Sequence, residues 1–226
     1  MRRILLIVFL LAGCAFAKQH TITFGKPMAV KLFVGPSEDK TQAMTVRALY
    51  VDGNLREFTT GEPHDVTDRM FVVRRVFRVN DALPTDDKKV PAWKWQRGGW
   101  LMVERASGHV TRLNLPDFDP YYSNATWFRD YAAYCGLSQS DAASKLYAVV
   151  VQLGQKRPLI HKQLGAARGE EMPDSECAPP KWERAPVRVT FAPVGKPAAS
   201  FEVHGRWAEP AETPATAGSS EDDDKE

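Results

Sequence analysis

Short runs of alternating apolar and polar residues, separated by turn residues, recur along this chain and constrain its fold more than any other feature. Residues 44–51 are one such run, with apolar or aromatic side chains at every second position: Met44, Val46, Ala48 and Tyr50. Alternation with period two is typical of β-strands, whereas an amphipathic helix needs apolar residues three and four positions apart. No segment of about 12 or more residues shows that helical period. The sequence therefore predicts an all-β protein, built from antiparallel hairpins in packed sheets with few or no helices.

Turn residues indicate which of these strands pair. Asp52 and Gly53 tolerate positive φ, so they predict a hairpin between residues 44–51 and residues 55–58. Three further hairpins are predicted: one that turns at residues 107–108, one that pairs residues 127–135 with 145–153 across a loop or helical turn at 138–144, and one that pairs residues 186–191 with 200–204.

Residues 71–79 predict another strand, and this one carries three arginines. Arg74 and Arg78 would lie on one face of the strand, and Arg75 on the opposite, more apolar face. Clustered arginines could form an anion site. We interpret the strand instead as half exposed, with its basic side chains in solvent.

The N-terminal segment has the parts of an export signal. Two arginines precede an unbroken apolar run over residues 4–11, and residues 15–17 read Ala-Phe-Ala, which is typical of a cleavage site. The apolar run is too short to be a transmembrane span, which takes about 20 residues. Residues 11–14 also resemble the lipobox of bacterial lipoproteins, in which the cysteine, here Cys14, is lipidated. Both interpretations predict export: to the periplasm or extracellular space, or to the outer membrane as a lipoprotein.

The composition, 43% hydrophobic and 26% charged, is that of an ordinary globular protein. We divide the chain into a signal peptide (residues 1–17), one all-β domain (residues 18–207) and a disordered acidic tail (residues 208–226). The tail has seven acidic residues against one lysine and no large apolar side chain, so it cannot bury a core. The domain is mildly basic, but its charges are too dispersed to predict binding to nucleic acid.

Export also limits what the three cysteines can do. Cys14 would be removed or lipidated, which leaves Cys135 and Cys177 as a pair in an oxidising compartment. Neither belongs to a Cys-x-x-Cys motif or has an adjacent histidine, as a reactive thiol often does. We predict a disulfide between them. It would tether residues 165–181, predicted to be a polar loop, to the aromatic strand that ends at Cys135.

Aromatic residues are concentrated in residues 93–153, where we expect the densest core because aromatic side chains bury the most area. The best candidate for a ligand-facing site lies in the same stretch and consists of Asp117, Asp119, Tyr121 and Tyr122. Carboxylates beside aromatic rings suit a glycan site. They suit a calcium loop equally. The structural interpretation is a polar turn between strands, with the aromatic side chains in the core.

The sequence contains no motif typical of a metal site, a hydrolase nucleophile or a nucleotide-binding site. The five histidines are scattered, and none has the spacing to another histidine or to a cysteine that metal ligands show. The chain has no Gly-x-Ser-x-Gly, no P-loop and no dinucleotide-binding glycine pattern. We therefore predict no catalytic residue, no metal site and no cofactor.

Part of the chain resembles a known architecture. A strand, the turn of residues 106–109 and a second strand that ends Leu-Asn-Leu-Pro resemble the outer hairpin of a β-propeller blade. The pattern Tyr-Cys-Gly-Leu-Ser from residue 134, followed by Lys-Leu-Tyr-Ala-Val from residue 145, looks like the start of the next blade. The resemblance covers about 60 residues, and the chain is too short for a full ring at about 40 residues per blade. It implies an incomplete-propeller-like arrangement, whereas the length fits a β-sandwich at least as well. The whole chain resembles exported bacterial proteins.

Two functions of different classes remain. The first is a non-catalytic cell-envelope or secreted module that binds a protein or polysaccharide partner on a sheet face or at a loop end. The alternative is a hydrolase that acts on an envelope or extracellular glycan, with a site assembled from the acids and histidines. A cleft that combines Asp117, Asp119 and a histidine would favour the hydrolase, whereas an aromatic surface would favour binding. We expect the binding module.

Overall fold

The computed structural model describes residues 20–33, 41–82, 91, 93–140, 143–167 and 177–204. The predicted signal peptide, lipidation site and acidic tail lie outside these residues. As predicted, the described chain is all-β and contains no helix. Its strands are β1 (Ile22–Phe24), β2 (Met28–Phe33), β3 (Thr41–Val51), β4 (Asn54–Thr67), β5 (Met70–Asn80), β6 (Trp93–Glu104), β7 (Val110–Leu113), β8 (Thr126–Phe128), β9 (Tyr131–Ser140), β10 (Ala143–Gln152), β11 (Ile160–Ala166), β12 (Cys177–Arg184), β13 (Val187–Pro193) and β14 (Ala199–Glu202).

Five consecutive strands, β2 to β6, form a closed, barrel-like sheet. Each strand pairs antiparallel with the next, so β2 and β6 run in the same direction. They close the sheet by pairing in parallel at Leu32 and Trp95. β1 and β7 extend the sheet from β3 and β6. The hairpins predicted to turn at residues 52–53 and 107–108 are both confirmed, as β3–β4 and β6–β7.

The second half of the chain forms two antiparallel sheets with a common core. One has the strand order β11-β10-β9-β8, and the other has the order β12-β13-β14. Both sheets contribute to one buried cluster: Tyr131, Ala133, Cys135, Leu146, Ala148, Val150, Cys177, Val189, Phe191 and Val203. The predicted disulfide is present between Cys135 of β9 and Cys177 of β12, with the Cα atoms 6.2 Å apart. Two sheets that enclose a core in this way form a β-sandwich.

The segment of residues 114–125 covers the other face of the β8–β11 sheet. Leu115 and Phe118 pack against a buried cluster that includes Tyr134 of β9. The Phe118 and Tyr134 rings meet edge to face, with their centroids 5.2 Å apart. Burial of the sheet on both faces explains why residues 146–151 are an almost unbroken apolar run rather than an alternating one.

The barrel-like sheet contacts the sandwich through aromatic side chains. Trp100 of β6 meets Trp127 of β8 edge to face, with ring centroids 5.3 Å apart. His64 of β4 stacks on the same Trp127 ring at 6.1 Å, and its Nε2 lies 2.8 Å from the carbonyl oxygen of Arg129. These contacts fix β4 and β6 against β8 and the turn that follows it.

The strand predicted over residues 127–135 is in fact two strands, β8 and β9, which pair with each other. Between them Arg129 adopts a φ of 53°, a left-handed conformation that lets the chain reverse within two residues. β9 then pairs with β10, as predicted, but their ladder extends through residues 138–140. The described part of residues 138–144 is therefore strand, not a loop or helical turn, because backbone pairing does not require apolar side chains.

The loop prediction for residues 165–181 is also wrong at both ends, since β11 continues through Gly165 to Ala166 and β12 covers residues 177–181. β12 begins at Cys177 itself, and Cys177 is buried. The disulfide therefore joins one strand to another rather than a loop to a strand. The hairpin predicted for residues 186–191 and 200–204 is confirmed as β13–β14.

Two buried tyrosines of β9 allow a matched test of hydrogen bonding in this core. Tyr134 donates its hydroxyl to the carbonyl oxygen of Pro116 at 2.7 Å, whereas the buried Tyr131 hydroxyl has no partner among the described residues. Burial, and secondly the charge of Asp117, raises the pKa of Tyr134, so its hydroxyl stays protonated and donates. Tyr134→Phe should lower the free energy of unfolding by about 1–2 kcal/mol, whereas Tyr131→Phe should leave it unchanged or raise it slightly. Denaturant unfolding of both variants measures this difference, and equal losses would contradict it.

Candidate functional site

Asp119 holds together a tight turn before β8, the turn that contains most of the predicted ligand-facing residues. Its Oδ1 accepts the backbone N–H groups of Tyr121 at 2.7 Å and Tyr122 at 3.2 Å. Its own backbone N–H donates to the Ser123 hydroxyl, which in turn donates to the carbonyl oxygen of Cys135 at 2.7 Å. An aspartate that bonds to the backbone two residues on is an Asx turn. Asp119 therefore has the structural role that the turn interpretation predicts.

Asp117 has different partners. Its Oδ2 lies 2.8 Å from Nε2 of His161, and the His161 ring stacks on Tyr147 with centroids 4.4 Å apart. Its backbone carbonyl accepts the N–H of Leu137 at 2.7 Å. In the described part of the chain, no hydroxyl or thiol side chain is hydrogen-bonded to His161. Catalysis by an Asp–His pair usually needs such a nucleophile beside the histidine.

The two acids therefore do not converge with a histidine in one cleft. Asp117 pairs with a histidine at the surface, whereas Asp119 bonds to the backbone of its own turn. Tyr121 is 38% exposed and Tyr122 is half-buried. All four predicted residues lie in one segment. Both of its carboxylates are already engaged, whereas glycoside hydrolysis uses two that are available to the substrate.

A different residue dominates the electrostatics of this region. Arg74 of β5 is 8% exposed and is the only charged residue that is buried in the described ranges. Its guanidinium donates to the carbonyl oxygens of Pro120 at 2.8 Å and Ser123 at 3.4 Å. It also lies over the rings of Phe118 at 4.8 Å and Trp100 at 5.8 Å. Arg74 thus connects the barrel-like sheet to the turn before β8.

The prediction that the basic side chains of this strand lie in solvent is wrong for Arg74. Residues 71–74 are buried without a break, so both faces of β5 are covered at this point. A β-bulge in the β5–β6 ladder between Arg74 and Val76 then changes which side chains face outward. Arg78, beyond the bulge, is exposed as predicted.

Burial makes the positive charge of Arg74 unfavourable. The pKa of Arg74 is lowered to about 10, chiefly because burial disfavours the charged form and secondly because Arg97 is also positive, while the charge of Asp119 opposes this shift. At neutral pH the guanidinium remains protonated. Its hydrogen bonds go to neutral carbonyl oxygens, and the Asp119 carboxylate is bonded to backbone N–H groups. An anion that reached Arg74 would therefore offset a charge that the protein itself compensates only in part.

An open cavity of about 360 Å³ lies beside Arg74, and we call it the Arg74 cleft. Strands β3 to β6 and the segment before β8 supply its walls, which include the polar and aromatic residues Thr60, Glu62, Arg74, Arg97, Trp100 and Asn124. Among the described residues that line it, Glu62 is the only acid. Glu62 forms an ion pair with Arg47 at 3.2 Å, and its side chain is 78% exposed. The cleft is therefore cationic at its buried end.

Buried N–H donors are concentrated near this cleft. Nε of Arg74, Nε1 of Trp100 and Nε1 of Trp127 are each buried without an acceptor in the part of the chain that the structure describes. Buried polar groups are nearly always hydrogen-bonded, because an unsatisfied donor costs about 1–3 kcal/mol. Arg74 and Trp100 both line the cleft, and Trp127 packs against Trp100. A group rich in acceptor atoms is the chemical complement of such a cluster.

A second aromatic surface surrounds Arg78, at the far end of β5. The guanidinium lies over the rings of Phe58, Trp93 and Trp95, at 5.7, 5.4 and 5.4 Å from their centroids. Trp93 is 56% exposed. An aromatic surface of this kind is the feature expected of a binding module rather than of a hydrolase.

The sequence pattern predicts that Arg74 lies in solvent and that Trp100 and Trp127, within the aromatic stretch of residues 93–153, belong to the core. One signal could have distinguished Arg74 from the other arginines of the strand. It follows three consecutive apolar residues, 71–73, and an unbroken apolar run indicates a strand covered on both faces.

No three histidine, cysteine or acidic side chains in the described ranges lie close enough together to hold a metal ion. Nor do those ranges contain a helix long and apolar enough to cross a membrane. No family model matches the chain, and no curated protein or solved structure matches it significantly. The geometry described above is therefore the basis for inferring a function.

Proposed function

We propose that this protein is a non-catalytic, exported module that binds a polysaccharide or protein partner through the Arg74 cleft. The observation that carries the proposal is the cluster of buried donors without acceptors on Arg74 and Trp100, beside an open cavity. Such a cluster costs free energy in the protein alone, and a bound acceptor group recovers it. Sites that bind ligands commonly place polar groups beside apolar and aromatic side chains, and here Met44, Trp100 and Ala125 accompany the polar residues of the cleft.

The composition of the cleft favours binding over catalysis. Hydrolysis of a glycan uses two carboxyl groups on either side of the scissile bond. Among the described residues, the cleft offers only Glu62, which is exposed and paired with Arg47. The exposed aromatic surface around Arg78 supports a binding role independently.

Export is supported by two features of the chain. The buried disulfide between Cys135 and Cys177 is the kind of bond that persists in an oxidising compartment. The first 17 residues have the charge, apolar run and cleavage pattern of a signal peptide. The proposed location is the periplasm or the extracellular space, or, if Cys14 is lipidated, the outer membrane.

A hydrolase is the second candidate, favoured by one observation, the 2.8 Å contact between Asp117 and His161. Incubation of the disulfide-bonded protein with a panel of envelope and extracellular polysaccharides separates the two proposals. We expect the protein to bind immobilised polysaccharide saturably and to leave the length of the polysaccharide chains unchanged. Shortened chains would contradict the non-catalytic proposal, and their loss in Asp117→Asn and His161→Gln variants would assign catalysis to that pair. A panel in which no polysaccharide is bound or shortened would leave a protein partner as the remaining form of the proposal.

A further inference from the structure

We infer that the Arg74 cleft binds the carboxylate of an acidic sugar, and hence that the partner is a polysaccharide that contains uronic acids. This inference rests on the proposed function and names the ligand class for it. Three properties of the cleft support it in turn: its charge, its hydrogen-bonding groups and the way its strands are paired.

The charged residues that line the cleft favour a ligand group with a single negative charge. Arg74 is buried, bonds to two neutral carbonyl oxygens and has no acceptor for Nε among the described residues. Arg97 adds a second positive charge to the wall, but its Nη2 already donates to Gln42 at 2.8 Å. Glu62 stands at the same wall, paired with Arg47, and repels each negative charge of a bound group, so the repulsion is smaller for one charge than for two. A carboxylate, with one charge, fits this balance better than a phosphate monoester.

The donors of the cleft match the acceptor geometry of a carboxylate. An ionised carboxylate accepts through two oxygens with about four lone-pair sites and donates nothing. Arginine is the side chain best suited to bind such a planar group, because its N–H groups form a fixed fork. Nε of Arg74 and Nε1 of Trp100 are donors without an acceptor on two residues that line the cleft, and the Arg74 guanidinium lies over the Trp100 ring at 5.8 Å. Both nitrogens are buried, so a carboxylate contacts them once these side chains turn toward the cavity.

The remaining wall favours a sugar over a peptide. The Thr60 hydroxyl donates to the carbonyl oxygen of Thr45 at 2.8 Å and can still accept a hydrogen bond from a sugar hydroxyl group. Peptides bind most often by adding a strand to an open sheet edge or by filling an apolar groove. Here the strands that carry the cleft belong to the closed sheet of β2 to β6, so none of them is an open edge strand, and the unpaired stretch of β4 at the cleft, between Thr60 and His64, is too short to template an added strand. The cavity, at about 360 Å³, lies at the low end of the range for small-ligand sites, which suits one unit of a polymer.

The test compares ligands that differ only in the carboxyl group. The disulfide-bonded protein is titrated by calorimetry with tetragalacturonate, with its carboxyl-reduced neutral counterpart and with tetraglutamate. We expect the uronate to bind, and the loss of its carboxyl groups to weaken binding by about 10- to 100-fold, the range for hydrogen bonds to a charged group. Tetraglutamate should bind more weakly than the uronate, since it carries the charge without the ring hydroxyls.

Variants then locate the site. Arg74→Lys keeps the charge but loses the planar fork, and Trp100→Phe keeps a ring but loses the N–H group. We expect each to weaken uronate binding, by about 10-fold or more for Arg74→Lys and about 3- to 10-fold for Trp100→Phe. Arg75→Lys is the control: the next residue in the strand, it pairs with Glu57 at 3.0 Å and does not line the cleft. Thermal unfolding checks that each variant is folded, and Trp100→Phe remains informative if Arg74→Lys is not.

Several results would contradict the inference, and they differ in whether the proposed function remains supported. Equal binding of uronate and neutral sugar, both weakened by Trp100→Phe, would refute the carboxylate but retain a polysaccharide module. Tighter binding of tetraglutamate would refute the sugar and point to an acidic protein partner. Uronate binding that neither variant changes would show that the cleft is not the site. Absence of uronate binding would refute the inference alone, because the polysaccharide panel tests the proposed function separately.

Discussion

Loss of the disulfide between Cys135 and Cys177 should lower the free energy of unfolding by about 2–4 kcal/mol. The bond links positions 42 residues apart, so it restricts the unfolded chain, an effect worth roughly 4 kcal/mol in the chain-entropy model. It also joins the two sheets of the sandwich inside their common core. Denaturant unfolding of Cys135→Ala/Cys177→Ala beside the wild type measures the loss. Alanine avoids the buried hydroxyl that serine would add.

A reducing agent provides the control for this prediction. The double-alanine variant should unfold at the same denaturant concentration with and without reductant, whereas the reduced wild type should approach the variant. Wild type that unfolds identically in both conditions would show that the bond contributes nothing to stability. Non-reducing peptide mapping of protein from its own compartment checks the pairing directly, since two free thiols would refute it.

The local part of this fold could be predicted from the sequence, because a strand and a tight turn depend on neighbouring residues. The β3–β4 hairpin follows from the alternation in residues 44–51 and from the turn residues Asp52 and Gly53. The closure of the barrel-like sheet could not be predicted in the same way. It depends on the parallel pairing of Leu32 with Trp95, which are far apart in sequence and have no local pattern in common. The turn at Arg129 has no sequence signal, because positive φ is typical of glycine or asparagine and an arginine adopts it there.

In the candidate site, too, local features could be predicted from the sequence, whereas those that depend on tertiary contacts could not. For Asp117 and Asp119 the sequence alone leaves a glycan site, a calcium loop and a polar turn open, and the hydrogen bonds of Asp119 are those of a turn. The burial of Arg74 depends on the packing of β5 against the turn before β8, which is a tertiary contact. Trp100 and Trp127 were expected in the core and do lie at an internal interface, but their unsatisfied N–H groups are visible only in three dimensions.

Gly136→Ala should lower the free energy of unfolding by about 1–3 kcal/mol, the usual cost of forcing an extra group into a packed interior. Gly136 lies in β9, opposite the segment that covers the sheet. A Cβ atom at this position would stand 2.9 Å from Cγ2 of Val149 and 3.0 Å from Cβ of Asp117. Val149 is fully buried in a packed cluster, and Asp117 is held by the hydrogen bond from Leu137 N–H to its carbonyl, so neither neighbour gives way freely. The turn, β9 or both must therefore move.

This movement should also reach the Arg74 cleft, because the acceptors of Arg74, Pro120 and Ser123, belong to the turn that begins near Asp117. Gly136→Ala is therefore expected to weaken uronate binding as well as stability.

Gly99→Ala is the control for stability, since a Cβ there would meet only the Leu113 carbonyl oxygen at 4.0 Å and should change the free energy of unfolding by less than about 0.5 kcal/mol. Denaturant unfolding and uronate titration of Gly136→Ala measure the two effects. If stability falls while binding is unchanged, the turn does not transmit the strain to Arg74. If neither changes, β9 absorbs the methyl group without moving Asp117.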